Sequence, residues 1–187
     1  MANSNKVMFG FSDLYIGTYT DNNGTVTMGT PFHQAGAVGF SPEDNVEQNI
    51  FYADNIAYYV ADSQGTTEGD LVVAKFDDSF LTSFLGYGTT TGGGLAQIKG
   101  ATKPKVYIAF EVQGDDDPVR VIYYNATLGS IVREYATIED SVEVQTETLA
   151  VTIAGDASTG IVKAVYDSDS TGYATLFTNP PAPALAP

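Results

Sequence analysis

Apolar and polar residues alternate with a period of two along most of this chain, and the spacing becomes helical only once. Val106, Ile108, Phe110 and Val112 interleave with Tyr107, Ala109, Glu111 and Gln113, which predicts a strand with two different faces. Gly114-Asp115-Asp116-Asp117-Pro118 then turns the chain into Val119 to Tyr124, a hairpin. Val7 to Phe11 and Leu14 to Tyr19 are short β-rich runs, and Asp21-Asn22-Asn23-Gly24 leads into Thr25-Val26-Thr27. Asn-Gly supplies the positive φ angles of a primed turn, so the amino-terminal third opens as a meander. Gln34 to Phe40 reads as a further strand that Gly36 and Gly39 weaken or bulge. Ile131 to Ile138, Val142 to Ile153 and Ile161 to Tyr166 complete a mainly antiparallel set.

The helical spacing lies at the end of the most informative stretch, Phe51 to Gly86. Thr66 to Phe76 reads as a strand, with Leu71 and Val73 facing one way and Val72, Ala74 and Phe76 the other. Asp77, Asp78 or Ser79 can cap a short helix over about 77–86, where Phe80, Leu81, Phe84 and Leu85 share one face and Gly86 suits the left-handed end. Before this strand, Pro42 to Gly65 carries Phe51, Tyr52, Ile56, Tyr58 and Tyr59 among five carboxylates and lacks helical periodicity. It reads as a long inter-strand loop, and so many aromatics argue against disorder. Aromatic anchors rimmed by polar groups suit an association surface; a loop folded over its own core is the alternative.

One predicted strand changes phase. Val142 and Val144 occupy even positions, whereas Leu149, Val151 and Ile153 share the odd register with Glu143, Gln145 and Glu147. Either a bulge near Thr146 resets the register or the two ends pack against different bodies. Tyr87 to Gly94 is a glycine- and threonine-rich link, and Asn179 to Pro187 is a Pro/Ala-rich extension expected to be extended. The domain expectation is therefore one β-domain over 1–178 and a terminal arm over 179–187.

Composition narrows the class. At 187 residues the chain would bury about 70% of its unfolded surface if compact, so it needs no staples. It has no cysteine, which excludes disulfides and thiolate metal sites. No apolar run approaches a membrane span, and the amino terminus lacks the basic and apolar regions of a signal peptide. Asp and Glu total 23 against 8 Lys and Arg, a formal net charge of -15. A surface of that sign repels phosphate, and the scattered cations form no stripe, so stable nucleic-acid binding is not expected.

The chain is poor in catalytic chemistry. His33 is its one histidine, which leaves no imidazole cluster for a metal and no general base of the usual kind. Neither a nucleophile elbow nor a phosphate loop occurs, and Gly92-Gly93-Gly94 lacks the following lysine. Asp115-Asp116-Asp117 lacks the spacing of a calcium loop, and Pro118 suits an ordinary hairpin. No catalytic, cofactor-binding or metal-ligating residue is assigned, and an enzyme is not expected.

The order of motifs resembles the major tail tube proteins of long, non-contractile-tailed bacteriophages. The aromatic-aspartate stretch Phe51-Tyr52-Ala53-Asp54-Asn55, the acidic strand start at Glu68 and Asp70, the aliphatic strand and the short helix ending in Leu85-Gly86 carry it. Tyr107-Ile108-Ala109-Phe110-Glu111, the stretch from Asp140 to Leu149, and Leu176-Phe177-Thr178-Asn179-Pro180 follow in the family's order. The Gly/Thr-rich link after the helix and Asn55-Ile56-Ala57-Tyr58-Tyr59 depart from the family pattern.

The resemblance implies an antiparallel β-sandwich or barrel-like tail tube fold, a homo-oligomer of hexameric rings, and rings stacked around a tape-measure protein into a DNA conduit. It also implies contacts with tail terminator and distal tail proteins, a place in the virion, assembly in the bacterial cytoplasm, and no membrane or cofactor. Phe51, Tyr52, Asp54, Tyr58 and Tyr59 become candidates for ring stacking. Glu68, Asp70, Glu143, Gln145 and Glu147 become candidates for the lumen, where negative charge lets DNA slide. The rival readings are a monomeric carbohydrate- or protein-binding β-sandwich module and another virion protein of the capsid or baseplate.

Overall fold

The computed structural model describes residues 5–137 and 144–185. Eleven strands and one helix follow one another: β1 (Met8–Asn22), β2 (Thr25–Met28), β3 (Phe32–Gln34), β4 (Ala37–Ala53), β5 (Ile56–Val73), α1 (Asp78–Leu85), β6 (Gly88–Thr89), β7 (Leu95–Ala96), β8 (Val106–Gly114), β9 (Val119–Arg133), β10 (Glu147–Ile153) and β11 (Lys163–Asp167). Nine of the strands form one antiparallel sheet in the order β2-β1-β8-β9-β10-β5-β4, with β3 added to β1 and β11 to β9. The mainly β, sandwich-like expectation holds.

The sheet curls over its own apolar face. Phe40 near the start of β4 lies 5.5 Å from Tyr123 and 6.0 Å from Phe110, although the two strands carrying them are far away in sheet order. Inside the curl Leu14, Ile16, Leu71, Val73, Ile108, Leu149, Val151 and Ile153 are buried together. α1 closes one end of this core through Phe80, Leu81, Phe84 and Leu85, the face its spacing predicts. Phe80 stacks on Phe76 at 4.8 Å. Asp77 occupies the N-cap with extended backbone, and Gly86, at φ 68°, ends the helix with its N–H on the Leu81 carbonyl.

Two strands are longer than the sequence pattern suggests, because positive-φ residues bend them without ending them. Val7 to Phe11 and Leu14 to Tyr19 belong largely to the single strand β1, irregular at Gly10 (φ 72°) and Asp13 (φ 52°). Val119 to Tyr124 and the start of the Ile131 run are one strand, β9, bulged at Asn125 (φ 53°). Conversely, Gly36 (φ 77°) divides Gln34 to Phe40 between β3 and β4. The glycine-rich link carries the small β6–β7 hairpin.

The other face of the sheet is covered on one side only. Successive turns over 168–179 lay Leu176 and Phe177 against Tyr15, Tyr19, Tyr107, Ala109, Ile122 and Tyr124, a second apolar cluster. The tail continues along the same domain: Pro180 and Pro183 are buried, and the Tyr124 hydroxyl donates to the Pro181 carbonyl at 3.2 Å. Arg120 pins this strap. Its guanidinium lies 4.1 Å from the centroids of both the Tyr173 and Phe177 rings, while Nε donates to Glu111 and Nη1 to the Tyr173 carbonyl.

Candidate assembly surface

Pro42 to Gly65 is a β-hairpin and not the irregular loop expected from sequence. β4 and β5 pair from Ala37↔Val73 to Ala53↔Ile56, and Asp54 and Asn55 form the turn with φ of 52° and 61°. Two adjacent positive φ values define a primed turn, which matches the twist of the strands that it joins. Pro42 and Gly65 are tolerated within the hairpin because β4 is an edge strand and because the backbones approach closely. A Cβ at Gly65 would lie 2.5 Å from the Asn45 carbonyl oxygen, and one at Gly69 would lie 2.6 Å from that of Ser41.

The outer part of this hairpin is an arm with its aromatic residues in solvent. Phe51, Tyr52, Tyr58 and Tyr59 are 61–72% exposed, and Asp54 sits in the turn between them. All five stacking candidates are thus gathered at the tip. Ile56, equally exposed, joins them. Together they make an exposed apolar patch on an extended arm.

At the base of the arm, β4, β5, β10 and the second half of β9 make a four-stranded wing. Its inward residues are Leu71, Leu149, Val151 and Ile153. Its outward residues are polar: Ser41 pairs with Asp70, Glu43 with Glu68, and β10 adds Ala150 beside Asp70 and Thr152 beside Glu68. All six are exposed. Glu68 and Asp70 therefore stand on one open acidic face. Glu43 completes it, and that residue was hidden by reading its surroundings as a loop. Had Asp54-Asn55 been taken as the turn, simple antiparallel counting would have placed Glu43 within two residues of Glu68.

The second lumen segment behaves differently. β10 begins at Glu147, so the change of apolar phase falls before the strand and not at a bulge near Thr146. Val144 is exposed outside the strand. Glu143 lies outside the described residues. In the amide orientation that satisfies both groups, Gln145 donates to the Glu134 carbonyl and accepts from the Ala136 N–H. Glu147 points with the core register and is bound on both oxygens: Arg133 Nε donates to Oε1 at 2.6 Å and the Phe76 N–H to Oε2 at 2.8 Å. It holds β9 and β10 to the chain entering α1.

Both lateral edges of the wing lack a strand partner among the described residues. β4 pairs only with β5, and β9 beyond Ala126 pairs only with β10. Unpaired edges of this length invite pairing with another chain. Part of the β9 edge is occupied instead by side chains: Lys103 Nζ donates to the Leu128 and Gly129 carbonyls and Lys105 Nζ to Thr127 Oγ1. Burial lowers the Lys103 pKa below that of a free lysine.

Elsewhere the buried polar groups are structural. Asp156 accepts from the Tyr19 hydroxyl and from the hydroxyls and N–H groups of Ser158 and Thr159. Burial opposes its charge, yet these donors hold the carboxyl far below the usual range. His33 packs tilted against Tyr15, with ring centroids 4.9 Å apart. Among the described residues no group of His, Asp and Glu is placed to hold a metal ion, and no helix is long and apolar enough to cross a membrane.

Solved structures share this fold at very low identity. The tube-terminating cap of an anti-feeding prophage superposes with a TM-score of 0.53 at 9% identity, covering 90% of this chain and 97% of the cap chain. A chain of the sheath-tube complex of an extracellular contractile injection system gives 0.51 at 9% identity, over 87% and 93%. No curated protein sequence matches. The family model described as phage tail tube protein matches residues 1–168, nearly the whole of the curled domain, its aromatic arm and its acidic wing, and the chain belongs to that family.

Proposed function

We propose that the protein builds the tail tube of a long, non-contractile bacteriophage tail as stacked hexameric rings through which the genome passes into the host. The four-stranded wing carries this reading. Among the described residues it has two strand edges without partners, one face packed on the subunit's own core, and an outer face bearing Glu43, Glu68 and Asp70. Joining the β4 edge of one subunit to the β9 edge of the next extends the sheet around a ring and removes both open edges of the wing, as cyclic symmetry requires. The acidic face then lines the channel, where it repels DNA phosphates and prevents stable binding. Of the other lumen candidates, Gln145 lies just before β10, near one end of that channel, whereas Glu147 serves the wall from within.

The arm stacks rings. Its tip, Phe51, Tyr52, Asp54, Tyr58 and Tyr59, docks on the adjacent ring and buries the aromatic surface that the free subunit exposes. A tape-measure protein fills the channel during assembly in the bacterial cytoplasm, and terminator and distal tail proteins close the two ends. The role is mechanical, with no cofactor.

Negative-stain electron microscopy of the concentrated protein tests the reading. Hollow rings or tubes are expected. Isolated small particles at every concentration, also when tail initiator proteins are added, would favour a monomeric binding module. Replacing Phe51, Tyr52, Tyr58 and Tyr59 together by Ser should leave the circular dichroism spectrum unchanged and abolish stacking in sedimentation; an unfolded variant would show the tip to be core.

A further inference from the structure

We infer that Lys103 guards the β9 edge of the free subunit and must leave it before rings close. The inference rests on the tail-tube reading above and adds a control point to it. β8 begins at Val106, opposite Ala126 of β9. The chain just before it, Lys103-Pro104-Lys105, continues alongside β9 without forming a ladder, since Pro104 has no N–H to give. Side chains take over from the backbone. Lys105 reaches the Thr127 hydroxyl at 2.6 Å, and Lys103 reaches the carbonyls of Leu128, at 3.1 Å, and Gly129.

Two carbonyls converge on one ammonium because β9 is irregular there. Between Val151↔Leu128 and Leu149↔Ile131 the ladder to β10 slips by one residue, and Gly129 permits the close approach, since a Cβ would lie 3.0 Å from the Ala150 carbonyl oxygen. With Lys103 in place, an incoming strand finds only Ser130 to Arg133 open. With it withdrawn, the edge runs from Leu128 to Arg133 among the described residues. Lysines placed on sheet edges are a known defence against premature pairing, and this one acts on backbone acceptors directly.

Exchange of the guard for a neighbour's strand conserves hydrogen bonds: the Leu128 and Gly129 carbonyls pass from the ammonium to backbone N–H donors, and the ammonium passes to water. The subunit therefore stays apart at low concentration without a permanent block.

Lys103→Met keeps the length and apolar stem of the side chain and removes its donors. It should form rings or tubes at a concentration at least about tenfold below wild type, from the loss of the ammonium's two hydrogen bonds that opposed association. Lys103→Arg, which keeps the donors, should return assembly to the wild-type concentration. Lys103→Gln, which keeps a shorter, uncharged donor, gives a second test that does not depend on the methionine variant folding, and it should assemble at or below the wild-type concentration. Lys103→Met assembling at the wild-type concentration or above it, or Lys103→Arg assembling as readily as Lys103→Met, would overturn the guard. Wild-type tubes accompanying either result would leave the tail-tube reading standing, whereas no rings from any of these proteins would remove both.

Discussion

β9 runs through two regions built on opposite principles. Its first half lies between β8 and β11, and there the sheet is buried on both faces, by the central core on one side and by the carboxy-terminal strap on the other. The five residues Val106 to Phe110 of the adjacent β8 are all buried. Its second half lies in the wing, where β10 alternates strictly: Leu149, Val151 and Ile153 inside, Ala150 and Thr152 outside. A continuous apolar run marks a strand covered on both faces, and alternation marks one that meets water. The first region is complete within the subunit. The second keeps one wet face and, among the described residues, two edges without a strand partner.

The sharpest way to break this comparison is to cut into the complete region. Leu176 is fully buried between the strap and the sheet, so Leu176→Ala should cost about 3 kcal/mol by urea denaturation, the usual range for a buried leucine. Thr152→Ala on the open face should change stability by less than about 0.5 kcal/mol. Equal costs would mean that the strap is a surface attachment and the two regions are alike. Arg120→Lys should fall between them, near 1–2 kcal/mol, because the ammonium keeps the charge but loses the planar stack between Tyr173 and Phe177. A neutral result would reduce the clamp to a crystal-like surface contact.

Acid sharpens the same contrast. Asp156 sits in the complete region with its carboxyl held well below the ordinary value by Tyr19, Ser158 and Thr159. A depressed folded-state pKa contributes stability that is fully present above the unfolded value, near 3.9, and is lost as pH falls toward the folded one. Melting temperatures of the wild type should therefore drop below about pH 4 more steeply than those of Asp156→Asn, which starts lower and lacks that carboxylate. Parallel curves would show that Asp156 does not carry the acid sensitivity.

The two regions also differed in how far they could be read from sequence. α1 was legible to within a residue at each end, although not in which of three polar residues caps it, because an i to i+5 apolar face and a terminal glycine agree over one short span. The Asn23-Gly24 hairpin and the β8–β9 turn were legible for the same reason. β1 and β9 were divided too early, since Asp13 and Asn125 take positive φ inside a strand, where a residue type that often marks a turn bends the strand without ending it. The acidic pair Glu68 and Asp70 was found by its place in the motif order. Their partner Glu43 and the guard Lys103 were not, because each owes its position to a pairing register that the misread hairpin and the proline-ended β8 concealed.

The smallest expected effect bears most directly on why the wing has an open acidic face. Glu43 and Glu68 face each other across β4 and β5 on the exposed side, and like charges directly opposite in a sheet destabilise it. Glu43→Gln should therefore raise the melting temperature slightly at low salt, and the gain should fade toward 1 M salt as screening removes the repulsion. Neutral polar residues suit this surface, as Ser41 and Thr152 beside the pair demonstrate. A carboxylate pair kept at a cost in the free subunit needs a reason outside subunit stability, and a channel wall that must not hold DNA supplies one. A fall in melting temperature on neutralisation, unchanged by salt, would instead make Glu43 an ordinary stabilising residue and leave the acidity of the face without that reason.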